Sequence, residues 1–422
     1  MYYDIVIIGA GFAGLSASHH LPKNLKILIL DRKKKLDSHI ESTGLITKAT
    51  KELIETFFDP KPFLPNQITK IAVVGTDFRR VLFSDTKEPW IYSTDTPALL
   101  KKMSENLPGN VTLEINSVFK NLIREETEKY PLKIEYLSNG KLQTVRSKFL
   151  IGADGAGSGV AKKTSGLSQN KKLLVGFEKV FYGKIKLGTS PEKTVYHFWF
   201  GDFSLGYGGW LSPTILNGKP AFRLGLAKHM KDASENKLEE FIRILKEKNI
   251  IEIEKDTDEI LSFTNTIPIS GPLKNIFTKD TLLLGDAAGF CGAFAADGIK
   301  GAILSGIVAS KLVPKVLQGK PSSLKIFNKE MQLHNKILTY YKKQLLYRFL
   351  WDRMKSNRSF DLLFDIINRD SENFINHFCD SRDKQKSLIG FIVKPKNYFL
   401  LIKYAVSIFL DFFKASSPRR FQ

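Results

Sequence analysis

The chain has 422 residues, 43% of them apolar and 11% aromatic, which predicts a folded globular protein of two or three structural parts. Its 64 lysines and arginines exceed its 43 aspartates and glutamates, and the net charge of +21 favours an anionic partner such as a membrane surface. An ordinary lysine-rich exterior explains this charge equally well, and no zinc-ligand spacing, RNP-like motif or arginine-rich arm indicates nucleic acid. The two cysteines, Cys291 and Cys379, show no paired spacing and no histidine cluster, which argues against disulfides and metal and fits a cytoplasmic setting.

The first predicted elements form a β-α-β unit. Residues 3–8 are a continuous strand-forming run, a glycine turn follows, and a second apolar strand covers 26–30. No basic region followed by an apolar stretch and a small-residue cleavage site precedes them, so no signal peptide is expected.

The glycine turn G-A-G-F-A-G has the spacing of a dinucleotide site. Gly9 permits the tight turn, Gly11 lets a pyrophosphate approach the backbone, and Gly14 lets the helix pack closely on the strand. Asp31 ends the second strand, where it is placed to accept a hydrogen bond from a ribose hydroxyl. This element alone fits either NAD or FAD.

The middle of the chain changes character twice. Residues 52–97 mix short strand-like runs with prolines, as in an inserted or edge region, and a helix is predicted over 99–107. Short strands and turns fill 111–151. Residues 173–270 are rich in strand-like runs and aromatics, interrupted by a charged helix over 232–248, which predicts a substrate domain built on an antiparallel sheet.

Two further glycine-rich segments each follow a predicted strand: A-D-G at 153–155 and G-D-A-A-G at 285–289. An aspartate in such a strand-to-helix turn can bond the ribityl chain of a flavin, while the next helix faces the ring. A long helix rich in small residues is predicted from Gly298. Three separated glycine segments therefore favour FAD.

The ordered set of G-x-G-x-x-G, A-D-G and G-D-A-A-G resembles the FAD-dependent family that includes para-hydroxybenzoate hydroxylase-like monooxygenases and geranylgeranyl reductases. The resemblance implies an α/β fold with a Rossmann-type FAD-binding domain, an inserted antiparallel β-sheet substrate domain and a helical C-terminal region. The expected parts are FAD-binding segments 1–60, 98–170 and 271–315, an inserted or edge substrate segment 61–97, a β-sheet substrate domain 171–270 and a helical region 316–422. The residues expected to contact FAD are Gly9, Gly11, Phe12, Ala13, Gly14, Asp31, Asp154, Gly155, Gly285, Asp286, Ala287, Gly298 and Ile299.

Other segments are similar to the geranylgeranyl reductases, including archaeal enzymes that saturate isoprenoid lipid chains. These enzymes carry a cysteine beside the flavin in a C-x-G-L segment, and the similar stretch S-T-G-L places Ser42 at that position. Their Y-G-W-x-F-P strand is similar to Y-G-G-W-L-S-P at 207–213, which has one inserted residue and a serine in place of phenylalanine.

The sequence also departs from that pattern. A-D-G-I at 296–299 replaces the usual G-E-G-I, Ala293 stands where a proline is usual, and the arginine expected near Thr94 is absent. The missing cysteine and arginine leave open a non-enzymatic FAD-binding protein with a degenerate active site.

The resemblance implies reduction of an isolated alkene, in which FAD takes hydride from NADPH, NADH or another donor and passes it on while a proton arrives separately. The expected wall of an isoprenoid channel consists of Tyr196, Phe198, Trp199, Tyr207 and Trp210, although aromatics at strand spacing are also typical of a core. The candidate catalytic residues are Ser42, His197 as a proton donor and Cys291 near the flavin, against the alternatives of a packed histidine and an inert thiol. The competing enzyme hypothesis is a flavin monooxygenase that hydroxylates an aromatic or isoprenoid substrate.

The C-terminus predicts an apolar helix over 398–414 with one narrow polar stripe, Lys403, Ser407 and Asp411. Its apolar remainder needs a partner, either the protein core or the acyl boundary of a bilayer. Neighbouring lysines and the pair R-R at 419–420 favour peripheral binding to an anionic membrane. No apolar stretch reaches the roughly 20 residues that a transmembrane helix needs, so none is predicted.

Overall fold

The computed structural model describes residues 1–37, 42–188, 194–216, 218–232, 236–254, 261–374, 376, 378 and 388–416, with side chains described through residue 412. Cys379 and the pair at 419–420, which the sequence singled out, lie outside the described residues.

The strands in chain order are β1 (Tyr2–Ile8), β2 (Ile27–Leu30), β3 (Leu45–Thr47), β4 (Asn66–Ile68), β5 (Lys70–Val74), β6 (Val81–Asp85), β7 (Ile91–Ser93), β8 (Val111–Glu114), β9 (Ser117–Arg124), β10 (Leu132–Ser138), β11 (Lys141–Gly152), β12 (Leu173–Ile185), β13 (Val195–Trp199), β14 (Gly206–Leu216), β15 (Lys219–His229), β16 (Ile251–Ile253), β17 (Leu261–Pro268) and β18 (Thr281–Leu283). The helices are α1 (Phe12–His20), α2 (Lys48–Ile54), α3 (Thr96–Glu105), α4 (Gly159–Lys163), α5 (Asn236–Glu247), α6 (Gly298–Leu317), α7 (Phe327–Leu333), α8 (Ile337–Trp351), α9 (Asn357–Asn368), α10 (Leu388–Ile392) and α11 (Tyr398–Ser416).

The first sheet has a parallel core in the order β8-β2-β1-β11, with β18 paired parallel to the carboxyl end of β11. Its central strands β1 and β2 are apolar and buried from Ile5 to Ile8 and from Ile27 to Leu30, as is typical of the inner strands of parallel sheets. In this register Ile8 lies opposite Gly152, and Gly152 lies opposite Leu283. The three glycine segments therefore begin side by side at one edge of the sheet, although the sequence separates them widely.

Helices α1 and α6 pack closely and lock the first and third segments together. A Cβ atom on Gly306 of α6 would lie 2.7 Å from the carbonyl oxygen of Ala13, so only glycine allows this approach. The Ser16 hydroxyl of α1 also donates to the carbonyl of Ile303, at 2.9 Å.

The second sheet has the order β16-β12-β15-β14-β13-β5-β6, with β17 paired to β12. All of these pairs are antiparallel except β13 with β5. Strands β5 and β6 lie in the segment with prolines that precedes α3, so this early part of the chain completes a sheet formed mainly by residues 173–268. The third, smaller sheet has the order β3-β7-β4.

The C-terminal helices cover one face of the second sheet. Trp351 of α8 and Phe360 of α9 pack with Phe198 and Phe200 from the β13 region, with ring centroids 5.8–6.1 Å apart. The fold is thus an α/β arrangement with a mainly parallel first sheet, a mainly antiparallel second sheet and a helical C-terminal region. Within the described part of the chain, none of the helices has both the length and the apolar character needed to cross a membrane.

Candidate active site

The first glycine turn combines two crowded positions with one open position. Gly9 has φ +106°, and a Cβ there would lie 2.3 Å from the carbonyl oxygen of Ala153. A Cβ on Gly14 would lie 2.0 Å from the carbonyl oxygen of Gly9, whereas a Cβ on Gly11 would meet nothing within 4 Å. Gly11 is also the N-cap residue of α1, and no side chain caps this helix end. The backbone N–H groups of this helix end therefore face open space of the kind a pyrophosphate fills.

Asp31 stands at the carboxyl end of β2 and is almost fully buried. Its two carboxylate oxygens accept hydrogen bonds from the backbone N–H of Ala10, at 2.6 Å, and of Lys33, at 2.8 Å. These bonds fix the carboxylate at the edge of the cavity described below. The ribose contact predicted for Asp31 stays a prediction.

The second segment uses its aspartate within its own turn. The Asp154 carboxylate accepts from the Ser158 hydroxyl at 2.6 Å and from the Val160 N–H at 3.0 Å, at the start of α4. Burial raises the pKa of Asp154 and these hydrogen bonds oppose the shift. Gly155 has φ +80°, in the left-handed region that favours glycine.

The third segment presents a carboxyl group of a different kind. Asp286 lines the cavity, and among the described residues no hydrogen bond to its carboxylate is present. Burial alone raises the pKa of Asp286 to about 6. A Cβ on Gly298, at the start of α6, would lie 2.9 Å from Oδ1 of Asp286, so the glycine leaves room around the carboxyl group. An acid that opens on the cavity and has no donor among the described residues fits a ligand that brings hydroxyl groups to it.

The three segments meet at one cavity of about 810 Å³. The predicted FAD-contact residues that line it are Gly9, Gly11, Phe12, Ala13, Asp31, Asp154, Gly155, Gly285, Asp286, Gly298 and Ile299. Gly14 and Ala287 do not line it: Gly14 packs against Gly9, and Ala287 is fully buried in the core. The open position at Gly11 and the unpaired carboxyl of Asp286 both fit bound FAD.

Four of the five aromatic residues predicted to form a channel wall lie at the cavity, and their contact with a substrate stays a prediction. Tyr196, Phe198, Tyr207 and Trp210 line the cavity, but Trp199 does not. Side chains on a strand alternate between its faces, so Trp199 of β13 points away from Phe198 and packs against Phe241, with ring centroids 5.6 Å apart.

His197 lies on that same far face of β13, so its position does not suit a proton donor to the cavity. The ring is fully buried, and Nε2 lies 2.8 Å from the carbonyl oxygen of Leu187. Burial lowers the pKa of His197 to about 4, because the charged imidazolium is poorly solvated there. The role predicted for His197 is corrected to that of a packed core histidine.

Ser42 and Cys291 both line the cavity. The Ser42 hydroxyl accepts from the N–H of Gly44 at 3.1 Å, which closes a tight turn beside the cavity. Burial, together with the nearby Asp286 and Asp297, raises the pKa of the Cys291 thiol well above its ordinary value. Cys291 therefore remains a neutral thiol, and catalytic roles for both residues stay predictions.

Two residues of the site were missed from the sequence, one in the cavity lining and one next to it. Glu178 of β12 is 1% exposed and lines the cavity, and Arg223 of β15 is 5% exposed beside it. Nε1 of Trp210 donates to Oε2 of Glu178 at 2.7 Å, and Nη1 of Arg223 lies 3.4 Å from Oε1. Buried and partly exposed residues alternate along β12, and Glu178 falls at one of the buried positions. An acidic residue at a buried position of an otherwise apolar strand could have identified it from the sequence.

The helical C-terminal region supplies the remaining part of the cavity wall. Its lining residues are mostly apolar or aromatic and include Tyr347, Trp351, Met354, Leu363, Phe391 and Tyr404. The cavity thus extends from the glycine turns, along the aromatic face of the second sheet, to helices α8–α11.

This fold and this site define a flavoprotein that binds FAD on a Rossmann-type sheet beside a second, mainly antiparallel sheet. Residues 2–336 match the family model described as FAD binding domain, and the chain belongs to that family.

Among its relatives, a digeranylgeranylglycerophospholipid reductase of Methanococcus aeolicus is 24% identical over 98% of this chain and 97% of its own length. A solved geranylgeranyl bacteriochlorophyll reductase-like protein from Thermoplasma acidophilum has a TM-score of 0.75 at 17% identity, over 96% of this chain and 99% of its own. Aklavinone-11 hydroxylase, solved with FAD and aklavinone, has a TM-score of 0.62 at 16% identity, over 82% of this chain and 69% of its own. The two structures share the fold with this chain.

Proposed function

We propose that this protein is an FAD-dependent oxidoreductase that reduces carbon-carbon double bonds of geranylgeranyl-type isoprenoid chains in membrane lipid biosynthesis. The main support is the single cavity that joins the three glycine segments to an apolar space between the second sheet and helices α8–α11. A long apolar chain fits such a space because its affinity comes from burial of apolar area. The near full-length likeness to a digeranylgeranylglycerophospholipid reductase supports the same substrate class.

FAD supplies the hydride transfer that alkene reduction requires, with NADPH, NADH or another reduced donor as the electron source. The protein's part is to bind the cofactor, orient the chain and exclude water. Gly11 and the N–H groups at the start of α1 would hold the pyrophosphate, and Asp286 would accept from the ribityl hydroxyls. Tyr196, Phe198 and Trp210 would line the path of the chain.

A monooxygenase is the second candidate, because aklavinone-11 hydroxylase shares the fold. The apolar helical end of the cavity favours the reductase, since a compact aromatic substrate needs no extended apolar space. The Y-G-G-W segment at 207–210 also favours it, since this segment is similar to the strand of geranylgeranyl reductases.

The test is a product analysis by mass spectrometry, with the FAD-loaded protein, NADPH or dithionite as reductant, and geranylgeranyl lipid. We expect masses that rise in steps of two hydrogens, whereas a hydroxylase would add oxygen in air. The matched control is Gly11→Val, because nothing lies within 4 Å of the position of its Cβ and the fold should tolerate it. This variant should lose FAD and produce no saturated lipid. Products that contain added oxygen would overturn the reductase proposal.

Peripheral attachment to an anionic membrane is part of this proposal, and the surface of α11 supports it. The exposed side chains of α11 are largely apolar and include Phe399, Ile402, Val406, Phe409 and Phe412, each 49–65% exposed. Ser407 and Asp411, from its polar stripe, are instead 2% exposed and face the protein. An apolar outer face of this size fits the acyl boundary of a bilayer.

A further inference from the structure

We propose that Glu178 is the acid that supplies the proton in alkene reduction, an inference that rests on the proposed function. Among the described residues that line the cavity, Glu178 is the carboxyl group contributed by the second sheet, on the same wall as Tyr196 and Trp210. The other carboxyl groups in the lining belong to the first sheet and the elements beside it: Asp31 at the end of β2, Asp154 and Asp286 in the second and third glycine segments, and Asp297 at the start of α6.

The surroundings of Glu178 suit an acid that gives up a proton and regains it. Burial raises the pKa of Glu178, so its proton is retained at a higher pH than that of an exposed carboxyl group. Arg223 of the neighbouring strand β15 is the charged group that faces Glu178, and its positive charge opposes this shift. After proton transfer, the carboxylate accepts hydrogen bonds from Arg223 and from the indole N–H of Trp210. Both donors favour the ionised product over the starting acid.

The step balances in atoms and electrons. The electron pair of the alkene π bond would take the proton of Glu178 at one carbon, while reduced FAD would supply the hydride for the new C–H bond at the other carbon. The substrate gains two electrons and two hydrogens, and Glu178 is left as a carboxylate that water reprotonates before the next turnover. The reduced nicotinamide or other donor would return FAD to its reduced form.

Arg223 acts as a positioning residue for this acid. Nη1 donates to the carbonyl of Ser42 at 3.0 Å, and Nη2 lies 3.5 Å from the carbonyl oxygen of Thr94. Both carbonyls belong to segments that precede α3, so the guanidinium links the second sheet to the Ser42 turn. Because Arg223 also contacts Glu178, it fixes the position of the Glu178 carboxyl group relative to the Ser42 turn.

The test separates the two half-reactions of the FAD-loaded protein in the absence of oxygen. In Glu178→Gln, we expect unchanged FAD content and unchanged flavin reduction by dithionite, but a fall of about 100-fold in flavin reoxidation by geranylgeranyl lipid. The wild-type reoxidation rate should fall as pH rises through the pKa of Glu178, and this limb should be absent in Glu178→Gln. Glu178→Asp, which retains an acid, should recover part of the rate.

The matched control is Glu239→Gln, since Glu239 pairs with Lys179 on the outer side of the same sheet and is half exposed. It should reoxidise at the wild-type rate. A readout independent of turnover is the infrared band of a protonated carboxyl group, which in wild type should persist to a higher pH than that of an exposed carboxyl group and should be lost in Glu178→Gln. Equal reoxidation of wild type and Glu178→Gln by lipid would overturn the role of Glu178. A wild-type flavin that lipid does not reoxidise at all would instead overturn the proposed function.

Discussion

The carboxyl groups at the flavin end of the cavity differ in what their oxygens bind. Asp31 accepts from the N–H groups of Ala10 in the first glycine turn and of Lys33, and Asp154 accepts from its own turn, so both carboxylates hold the backbone in place. Asp286 has no such donor among the described residues, and its burial raises the pKa to about 6. Asp286 is only partly buried and opens on the cavity, so its unpaired carboxyl group is best explained by a ligand that donates to it.

The substitution Asp286→Ala should therefore have opposite effects on binding and on stability. We expect the binding free energy of FAD to become less favourable by about 1–3 kcal/mol, because a hydrogen bond from the ribityl chain is lost. The free energy of unfolding of the FAD-free protein should stay equal or rise, because an unpaired carboxyl group is removed. Flavin fluorescence titration and urea unfolding measure the two quantities.

A matched control for Asp286→Ala is Asp280→Ala. Asp280 is 7% exposed and accepts from Nε and Nη2 of Arg124, at 3.1 and 3.0 Å. Its loss should lower the free energy of unfolding and leave FAD affinity unchanged. If Asp286→Ala behaves like Asp280→Ala, Asp286 is a structural residue and its assignment to FAD is wrong.

Single residues were predictable where the backbone dictates the residue type. The glycine turns could be found because a tight turn and a close helix crossing require glycine whatever the rest of the fold does. The aromatic segment Y-H-F-W-F at 196–200 predicted a strand, but it has no polar residue at every second position to show which face meets the cavity. His197 and Trp199 were misplaced for that reason.

At the level of elements, α11 is a helix as predicted, but two residues of its polar stripe, Ser407 and Asp411, face the protein. Oδ2 of Asp411 accepts from the N–H groups of Lys355 and Ser356 at 2.9 and 3.2 Å, and from the Ser359 hydroxyl at 2.7 Å. These donors lie at the start of α9, where backbone N–H groups lack partners within the helix. The sequence could not predict this orientation, because it depends on the position of α9 beside α11.

Removal of this carboxylate should release α11 from α9. In Asp411→Ala we expect the free energy of unfolding to fall by about 1–3 kcal/mol, because buried donors lose their acceptor. Limited proteolysis should cut the segment 388–416 faster. Lys403→Ala, an exposed change on the same helix, should alter stability by less than about 0.5 kcal/mol.

The effect of Asp411 should also depend on pH. Burial favours a raised pKa for Asp411, but the hydrogen bonds from Lys355, Ser359 and Ser356 outweigh it and lower the pKa below its ordinary value of 3.8. A lowered pKa means that the stabilisation is complete above the unfolded-state value and is lost as pH falls through the folded-state value. The difference in stability between wild type and Asp411→Ala should therefore shrink in acid. A constant difference down to pH 2 would contradict the assignment.

At the level of the whole molecule, the cavity joins parts of the chain that lie far apart in sequence. The parallel register brings the carboxyl ends of β1, β11 and β18 together, and the helical region closes the far end of the space between the sheets. The β-α-β unit and the ordered glycine segments made this sheet predictable. The part of the cavity formed by α8–α11 was not predictable, because no local pattern encodes the contact between those helices and the second sheet.

Charge and exposed apolar area together predict how the whole molecule meets a membrane. With a net charge of +21, the protein should float with anionic vesicles at low salt and bind less as salt increases. Ile402→Glu places a charge on the outer face of α11, where Ile402 is 65% exposed, and should weaken binding at least tenfold because an apolar anchor is lost. Leu142→Glu is the matched control, since Leu142 is 64% exposed on β11 and the substitution changes net charge equally. Equal flotation of the two variants would show that α11 is not the membrane-binding face, whereas loss of FAD in Ile402→Glu alone would show that this face belongs to the core.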